Sequence, residues 1–255
     1  MTTTAIVKAK QTQAVEMRIE RTLAMDEEVY YAGDPHIHIT QADARDESLI
    51  LDLMEAEGIR YGSILAYNDP AGPYLGLMKS MDMPQDRGVG RSSIRNRGDF
   101  SILSGQEYRS TKFGHLNLFL RDDLVLNGQD LNADDGPPYG TVGGETQELG
   151  GYAFYAHGGY AQSIYADFVQ GDVNGVELLQ FGVYRGIGLE DWYAMLNIGY
   201  HFPIVGACDY PACRKLGDCK TYVADGGGGS PTFPEWLQGA ADGRSFVTTG
   251  PMLLL

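Results

Sequence analysis

The sequence predicts an α/β fold, a barrel of strands joined by helices and long loops. Three observations carry that expectation. Apolar runs of strand length alternate with helical patterns or Gly-rich connections, which is the order of an α/β domain. The length, 255 residues with 43% hydrophobic content, fits one large α/β domain or two small ones. Finally, His36/His38, Glu107, His157 and Asp209 each stand at the C-terminal end of an apolar run. In a barrel of parallel strands those ends share one face, where active sites are built.

Taken in order, "AVEMRIERT" alternates Val15, Met17 and Ile19 with charged residues, the pattern of a half-exposed strand. Residues 1–28 read as an N-terminal strand or arm, a possible remnant of a preceding domain, and 29–255 as the main domain. "DARDESLILDLMEAEG" predicts a helix with Asp43 or Asp46 as cap, Leu49, Ile50, Leu53 and Met54 as apolar stripe, and Gly58 as stop. "YGSILAY" is a short buried strand. Residues 68–99 and 121–151 read as long irregular loops. "DFSILSGQEY", "GHLNLFL", "GYAFYAHGG", "NGVELLQF" and "FPIVGACD" predict strands, and "KTYVAD" a further one. "GLEDWYAMLNIGY" is helical, with Leu189, Trp192, Tyr193 and Leu196 on one side, and "FPEWLQGAADGR" is a closing helix. The "GGGGS" run at 226–230 is read as a loop between strand and helix. The chain stops at "GPMLLL", in the middle of what reads as a strand, so it reads as truncated at one or both ends.

Composition narrows the partners expected. With 34 acidic and 19 basic residues the formal net charge is −15. Binders of nucleic acid or anionic membranes usually show the opposite balance. The expectation is therefore a small-molecule substrate, with no nucleic acid and no membrane. No apolar run reaches about 18 residues, so no transmembrane helix is expected. Cys208, Cys213 and Cys219 fall in one short stretch whose spacing matches no common zinc pattern. A zinc knuckle stays open, and a Cys213–Cys219 disulfide or three free thiols are the preferred readings.

The chemistry starts at "YAGDPHIHIT", residues 31–40. Side chains of an extended chain alternate faces, so H-x-H aims His36 and His38 at one point. Two neutral imidazoles converging there suit a metal ion better than they suit each other. Each polar strand end alone reads as structural: a hydrogen-bonded histidine, a salt-bridged Glu107, an Asp209 that starts a turn, a His115 that starts a strand. Together they would bury many ionisable groups at one point, which is costly unless a cation pairs them.

The ordered set "GDPHIH", "SGQEY", "GHLNLF", "AHGG", "GACDY" and "GRSFVTTGP" resembles the PHP (polymerase and histidinol phosphatase) superfamily of metal-dependent hydrolases. It is most similar to the carbaryl-hydrolase-like CehA/McbA branch. The resemblance runs from about residue 28 to the end. It implies a distorted (β/α)7 barrel with divalent metals at the strand C-termini, held by His36, His38, Glu107, His115, His157 and Asp209. Asp43 matches an acidic position that follows H-x-H in many relatives, or else is the helix cap. His201 matches no motif position. Two departures reduce the ligand set: "LAYNDP" has no histidine where many members carry T-D-H, and Pro211 stands where many carry the histidine of D-x-H. One or two metals are therefore expected, of zinc, manganese or iron.

The implied activity is hydrolysis by metal-activated water of a carboxylic ester, carbamate or amide, with Asp209 handling the proton. The alternatives are a phosphoesterase using the same metals and a metal-binding module without turnover. "GRSSIRNRGD" places Arg91, Arg95 and Arg97 on one predicted loop, either a solvated basic stretch or a clamp for a substrate carboxylate or phosphate.

Overall fold

The computed structural model describes residues 10, 12, 14, 29–41, 43–67, 88–110, 112–125, 136–158, 163–180, 183–184, 187–212 and 215–250. The predicted strand at 15–19, the loop at 68–87 and Cys213 lie outside these residues.

The elements run β1 (Tyr30–Ile37), α1 (Ala44–Glu57), β2 (Tyr61–Tyr67), β3 (Gly90–Arg97), β4 (Phe100–Ser110), β5 (Gly114–Phe119), α2 (Tyr139–Glu148), β6 (Tyr152–Tyr155), α3 (Ile164–Gln170), β7 (Gly175–Gln180), β8 (Val183–Tyr184), α4 (Gly188–Asn197), β9 (Ile204–Ala207), β10 (Lys220–Ala224), α5 (Phe233–Ala241) and β11 (Ser245–Thr248). The barrel wall follows the order β1-β2-β4-β5-β6-β7, and β9 pairs with β7. A parallel bridge between Ile37 and Tyr210, with the His38 amide donating to the Tyr210 carbonyl at 2.6 Å, brings the chain after β9 back to the end of β1. The result is a nearly closed α/β barrel of the distorted, seven-strand kind that the resemblance implies.

The wall is not wholly parallel. β1, β2 and β4 run together, and so do β6, β7 and β9, but β5 is antiparallel to both neighbours. The start of β5 therefore lies with the ends of the other strands. β10 and β11 extend the sheet beside the first half of β1.

Local sequence explains the helices that brace this wall. Asp43 caps α1, its Oδ1 accepting from the amides of Arg45 (2.7 Å) and Asp46 (3.1 Å). Gly58 closes the helix at φ 68°, a conformation that costs glycine little. The buried face of α1 is Ile50, Leu51 and Met54, packed on Ile37, Ile64 and Ile102. Leu49, expected in the stripe, is 53% exposed; the stripe turns by one residue because Leu51 fills the wall side. In α4 the same correction applies. Met195 is buried and Leu189 and Trp192 pack inward, while Tyr193 is 54% exposed.

α5 closes the barrel end opposite the histidines. A capping box between Thr232 and Glu235 starts it. Trp236, fully buried, stacks on Tyr61 and donates from its indole N–H to the Tyr31 carbonyl at 2.9 Å. Gly33 is required beneath it, since a Cβ there would lie 2.3 Å from the indole.

Two predicted loops contain structure. Residues 90–97 form β3, a polar strand on the outer edge of β4 that carries too little apolar alternation to be read as one. Residues 139–148 form α2 despite three glycines, because Tyr139, Val142 and Thr146 make a buried face. No described helix is long and apolar enough to cross a membrane.

Candidate metal centre

Six side chains converge at the upper mouth of the barrel. His36 and His38 come from the end of β1, Glu107 from β4, His115 from the start of β5, His157 from just after β6 and Asp209 from just after β9. The antiparallel turn of β5 is what admits His115. Its partner across the ladder is Arg109, and Glu107 is opposite Asn117. Side-chain alternation puts Glu107 and Asn117 in one layer and Arg109 and His115 in the layer nearer solvent.

The donor atoms lie close together. His36 Nε2 is 2.9 Å from His38 Nε2, 3.6 Å from Glu107 Oε1 and 3.4 Å from Asp209 Oδ1. His38 Nε2 is 3.2 Å from Glu107 Oε2 and 3.3 Å from Asp209 Oδ1. Glu107 Oε1 is 2.6 Å from His115 Nδ1 and 3.0 Å from His157 Nε2, and those two nitrogens are 2.9 Å apart. Metal–ligand bonds of about 2.0–2.2 Å place neighbouring donors about 3–3.6 Å apart, so the spacing fits a shared cation. In three overlapping groups the donor atoms all lie within 4.8 Å of one another: His36/His38/Glu107, His36/His157/Asp209 and Glu107/His115/His157.

The outer hydrogen bonds set which ring nitrogen faces inward. His36 Nδ1 faces Glu177 Oε1 at 2.8 Å, and a carboxylate there can only accept, so the neutral imidazole keeps its proton on Nδ1 and its lone pair on Nε2. His38 Nδ1 faces the Leu65 carbonyl at 2.9 Å, with the same consequence. Gln180 Nε2 is 2.5 Å from His157 Nδ1, while Gln180 Oε1 is buried without a partner. The same Gln180 nitrogen donates to Glu177 Oε2 at 3.4 Å. The outer hydrogen bonds thus hold His36 and His38 as metal ligands are held.

Charge balance points the same way. Burial pushes His36 down, yet the carboxylates of Glu177, Asp209 and Glu107 outweigh it and raise its pKa well above the ordinary 6.5. Burial likewise opposes, and the site carboxylates overcome it, at His38 and His157. Burial holds His115 below its ordinary value despite Glu107. Glu107 and Asp209 are penalised by burial, but the histidines around them keep both carboxyls below the usual range. The site is a buried concentration of negative charge that protons on the histidines, or a divalent cation, balance.

Two residues of the site carry backbone strain. His157 (φ 55°) and Asp209 (φ 53°) both occupy the left-handed region. Such residues cost about 1–3 kcal/mol each and persist where the surroundings impose them.

Other residues named from the sequence are placed elsewhere. Asp43 is exposed and its carboxylate caps α1. Arg91 donates to the carbonyls of Leu120 and Gly150, Arg95 to those of Ser92 and Ile94, and Arg97 pairs with Asp52 and Glu55 of α1. His201 is exposed between α4 and β9. Cys208 and Cys219 are buried, and Cys219 Sγ donates to the Leu179 carbonyl at 3.2 Å. Sequence reasoning missed Glu177, which is fully buried. It accepts from Asn117 Nδ2 (2.5 Å) and the His157 amide (3.1 Å) besides facing His36. A lone carboxylate inside the apolar run "NGVELLQF" was the available signal.

No protein-family model and no curated protein matches the sequence. Among solved structures the chain is similar to PsfC from Pseudomonas syringae PB-5123, at 14% identity and a TM-score of 0.52, over 87% of this chain and 92% of PsfC. It is also similar to an endonuclease Q in complex with a 27-mer duplex substrate carrying an abasic lesion at the active site. Identity there is 15% and the TM-score 0.50, over 86% of this chain and 58% of the endonuclease. The chain thus spans a little over half the length of that enzyme, and the likeness at this identity is one of fold. It overturns the expectation, drawn from the net charge of −15, that nucleic acid is excluded: a protein of this fold holds a DNA duplex at its active site. Net charge sums the whole surface, whereas binding depends on the field at one face.

Proposed function

We propose that residues 29–255 form a PHP-superfamily metal-dependent hydrolase that cleaves an ester bond, a phosphoester before a carboxylic one. The observation that carries this reading is the set of six converging donors, with the Nε2 atoms of His36 and His38 held inward by outer hydrogen bonds. His36, His38, Glu107 and Asp209 would hold one divalent cation, and Glu107, His115 and His157 a second; zinc, manganese and iron all suit imidazole–carboxylate donors. When bound, such cations lower the pKa of a water and polarise the substrate oxygen. Asp209 would take the proton of the attacking water and pass it to the leaving group. Its side chain is 11% exposed at the mouth, and the histidines beside it keep it ionised.

The phosphoester preference is supported by the shared fold with an endonuclease whose substrate is a DNA duplex. A second reading, hydrolysis of a carboxylic ester, carbamate or amide, is favoured by the motif resemblance to the CehA/McbA branch. Metal content by mass spectrometry, followed by a panel of aryl phosphomonoesters and diesters, aryl esters, carbamates and an abasic-site duplex, separates them. We expect stoichiometric metal and chelator-sensitive turnover of a phosphoester. Turnover of carbamates alone would favour the second reading. Tight metal without any turnover would favour a non-catalytic module, and a chain that takes up no metal would overturn the hydrolase reading.

A further inference from the structure

Asp34 is fully buried in β1, two residues before His36. β1 carries one extra residue against β2 at this point, since Asp34 faces Gly62 while Ile37 faces Ile64. Such a bulge takes a residue out of the ladder and re-aims the side chains beside it. Pro35 sits in the bulge, and the His36 amide donates to Asp34 Oδ1 at 3.2 Å. The same oxygen accepts from the Cys208 amide at 3.2 Å, across the seam where β1 meets the end of β9. β1 pairs with β10 and β2, and β9 pairs with β7. Among the described residues, the one backbone bridge across that seam joins Ile37 to Tyr210.

We propose that Asp34 is a positioning residue that sets the spacing between the His36/His38 pair and Asp209. This rests on the hydrolase reading above, in which those three residues share a cation. One carboxylate oxygen holds the amide of His36 and the amide of the residue before Asp209, so two ligand-bearing segments are tied to a common atom. On the other side of Asp209, the Tyr210 carbonyl accepts from the His38 amide at 2.6 Å. Asp209 is thus clamped to β1 from both sides. The clamp accounts for its left-handed backbone, φ 53°, which persists where the surroundings impose it. It also accounts for the short reach from Asp209 Oδ1 to His36 Nε2 (3.4 Å) and His38 Nε2 (3.3 Å). The Cys208 thiol donates back across the seam to the His36 carbonyl at 3.8 Å. Because the bonds of Asp34 to His36 and Cys208 go to backbone amides, it acts on the ligands through their strands rather than by touching the cation.

The test uses the full chain with cobalt(II) as the probe. Competition with a chromogenic chelator gives its affinity, and its visible absorption reports the ligand geometry. Asp34→Ala removes the shared acceptor. It should weaken cobalt binding about 10- to 100-fold, the range for outer partners of metal ligands, and change the shape of the spectrum. Asp34→Asn keeps Oδ1 as an acceptor and should restore both. A residue that merely fills space would lower the melting temperature and leave the spectrum of bound cobalt unchanged. Amide hydrogen exchange by NMR on the metal-free proteins gives a second readout. The His36 and Cys208 amides should exchange slowly in wild type and Asp34→Asn. In Asp34→Ala they should exchange about 10-fold faster or more, as for the loss of a bond to a charged acceptor. Wild-type cobalt affinity and spectrum in a folded Asp34→Ala overturn the role of Asp34 while the hydrolase reading stands. Failure of wild type to bind cobalt overturns that reading, and the exchange rates then decide whether Asp34 ties the two strands. If Asp34→Ala does not fold, fast exchange of either amide in wild type overturns the proposal. Slow exchange of both, with a wild-type cobalt spectrum in Asp34→Asn, supports it.

Discussion

The two ends of the barrel are built from opposite chemistry. At the lower end, Trp236, Phe233, Tyr31 and Tyr61 pack as an aromatic plug whose indole N–H is bonded to the backbone. At the upper end, four histidines, Glu107 and Asp209 crowd together, with two of those residues in the left-handed region. Burying apolar surface stabilises the fold, while burying charge and strain costs stability. The difference teaches a division of labour: the plug carries the barrel, and the barrel tolerates the mouth. Substitutions at the two ends should therefore fail in different ways.

The largest effect is expected at the mouth. Asp209→Asn keeps size and one oxygen donor but cannot accept a proton. We expect turnover of whichever panel substrate is active to fall about 10²–10⁴-fold while much of the metal stays bound. His36→Ala, by contrast, should lose metal and activity together. Metal analysis and kcat on both variants check this, and wild-type kcat in metal-replete Asp209→Asn would show that the proton goes elsewhere.

The plug should behave in the converse way. Trp236→Ala removes a fully buried indole and its bond to Tyr31. A loss of about 3–5 kcal/mol is expected, as for large-to-small core changes. Whatever fraction remains folded should still bind metal. Denaturant unfolding and metal titration of that fraction report the two quantities separately. Loss of metal affinity without loss of stability would erase the distinction between the ends.

The aromatic plug and the mouth were not equally legible in the sequence. Period-2 alternation in "GDPHIH" and the polar ends of apolar runs were enough to name His36, His38, Glu107, His157 and Asp209, because alternation fixes the face a residue takes; His115, at a strand start, was named only through the PHP resemblance. Trp236 was legible only as part of an amphipathic helix; nothing local says that it stacks on Tyr61, more than 170 residues away. Glu177 was missed for a related reason. Its partners His36 and Asn117 lie on other strands, and register between strands is a tertiary property. β3 and α2 were read as loops because one has little apolar alternation and the other has three glycines; their burial comes from the neighbours they pack on.

Glu177 sharpens the comparison because it is as buried as the plug yet serves the mouth. Glu177→Gln keeps the shape, but one of its two side-chain oxygens becomes an amide donor. Either His36 Nδ1–H or the His157 amide then loses an acceptor. Metal affinity should fall about 10- to 100-fold, as for other outer-shell partners of metal-binding histidines. Competition against a chromogenic chelator measures it. Unchanged affinity would mean that packing alone orients His36.

The smallest effect belongs to Asp34, which sits in β1 between the two ends. Its Oδ1 accepts from the amides of His36 and Cys208, both at 3.2 Å, and its Oδ2 is buried without a partner. Burial, only partly offset by those bonds, pushes its pKa from 3.8 up to about 6. A carboxyl raised in the folded state contributes stability below its unfolded pKa, and that contribution is lost as pH rises through the folded value. Between pH 3.8 and about 6 wild type should therefore lose about 1.4 kcal/mol per pH unit from this group. Asp34→Asn has no such titration. Glu107 and Asp209 have the opposite sign in the same window, since their lowered pKa values give stability that is lost as pH falls. They are common to both proteins and cancel in the difference. The stability of Asp34→Asn relative to wild type should thus rise from pH 4 to pH 6 and then level off. Its plateau should be only about 1 kcal/mol, because the new amide group leaves a buried donor unsatisfied. Denaturant unfolding of both metal-free proteins across that range tests the sign, and a difference that does not change with pH would mean that Asp34 is already neutral or already well solvated.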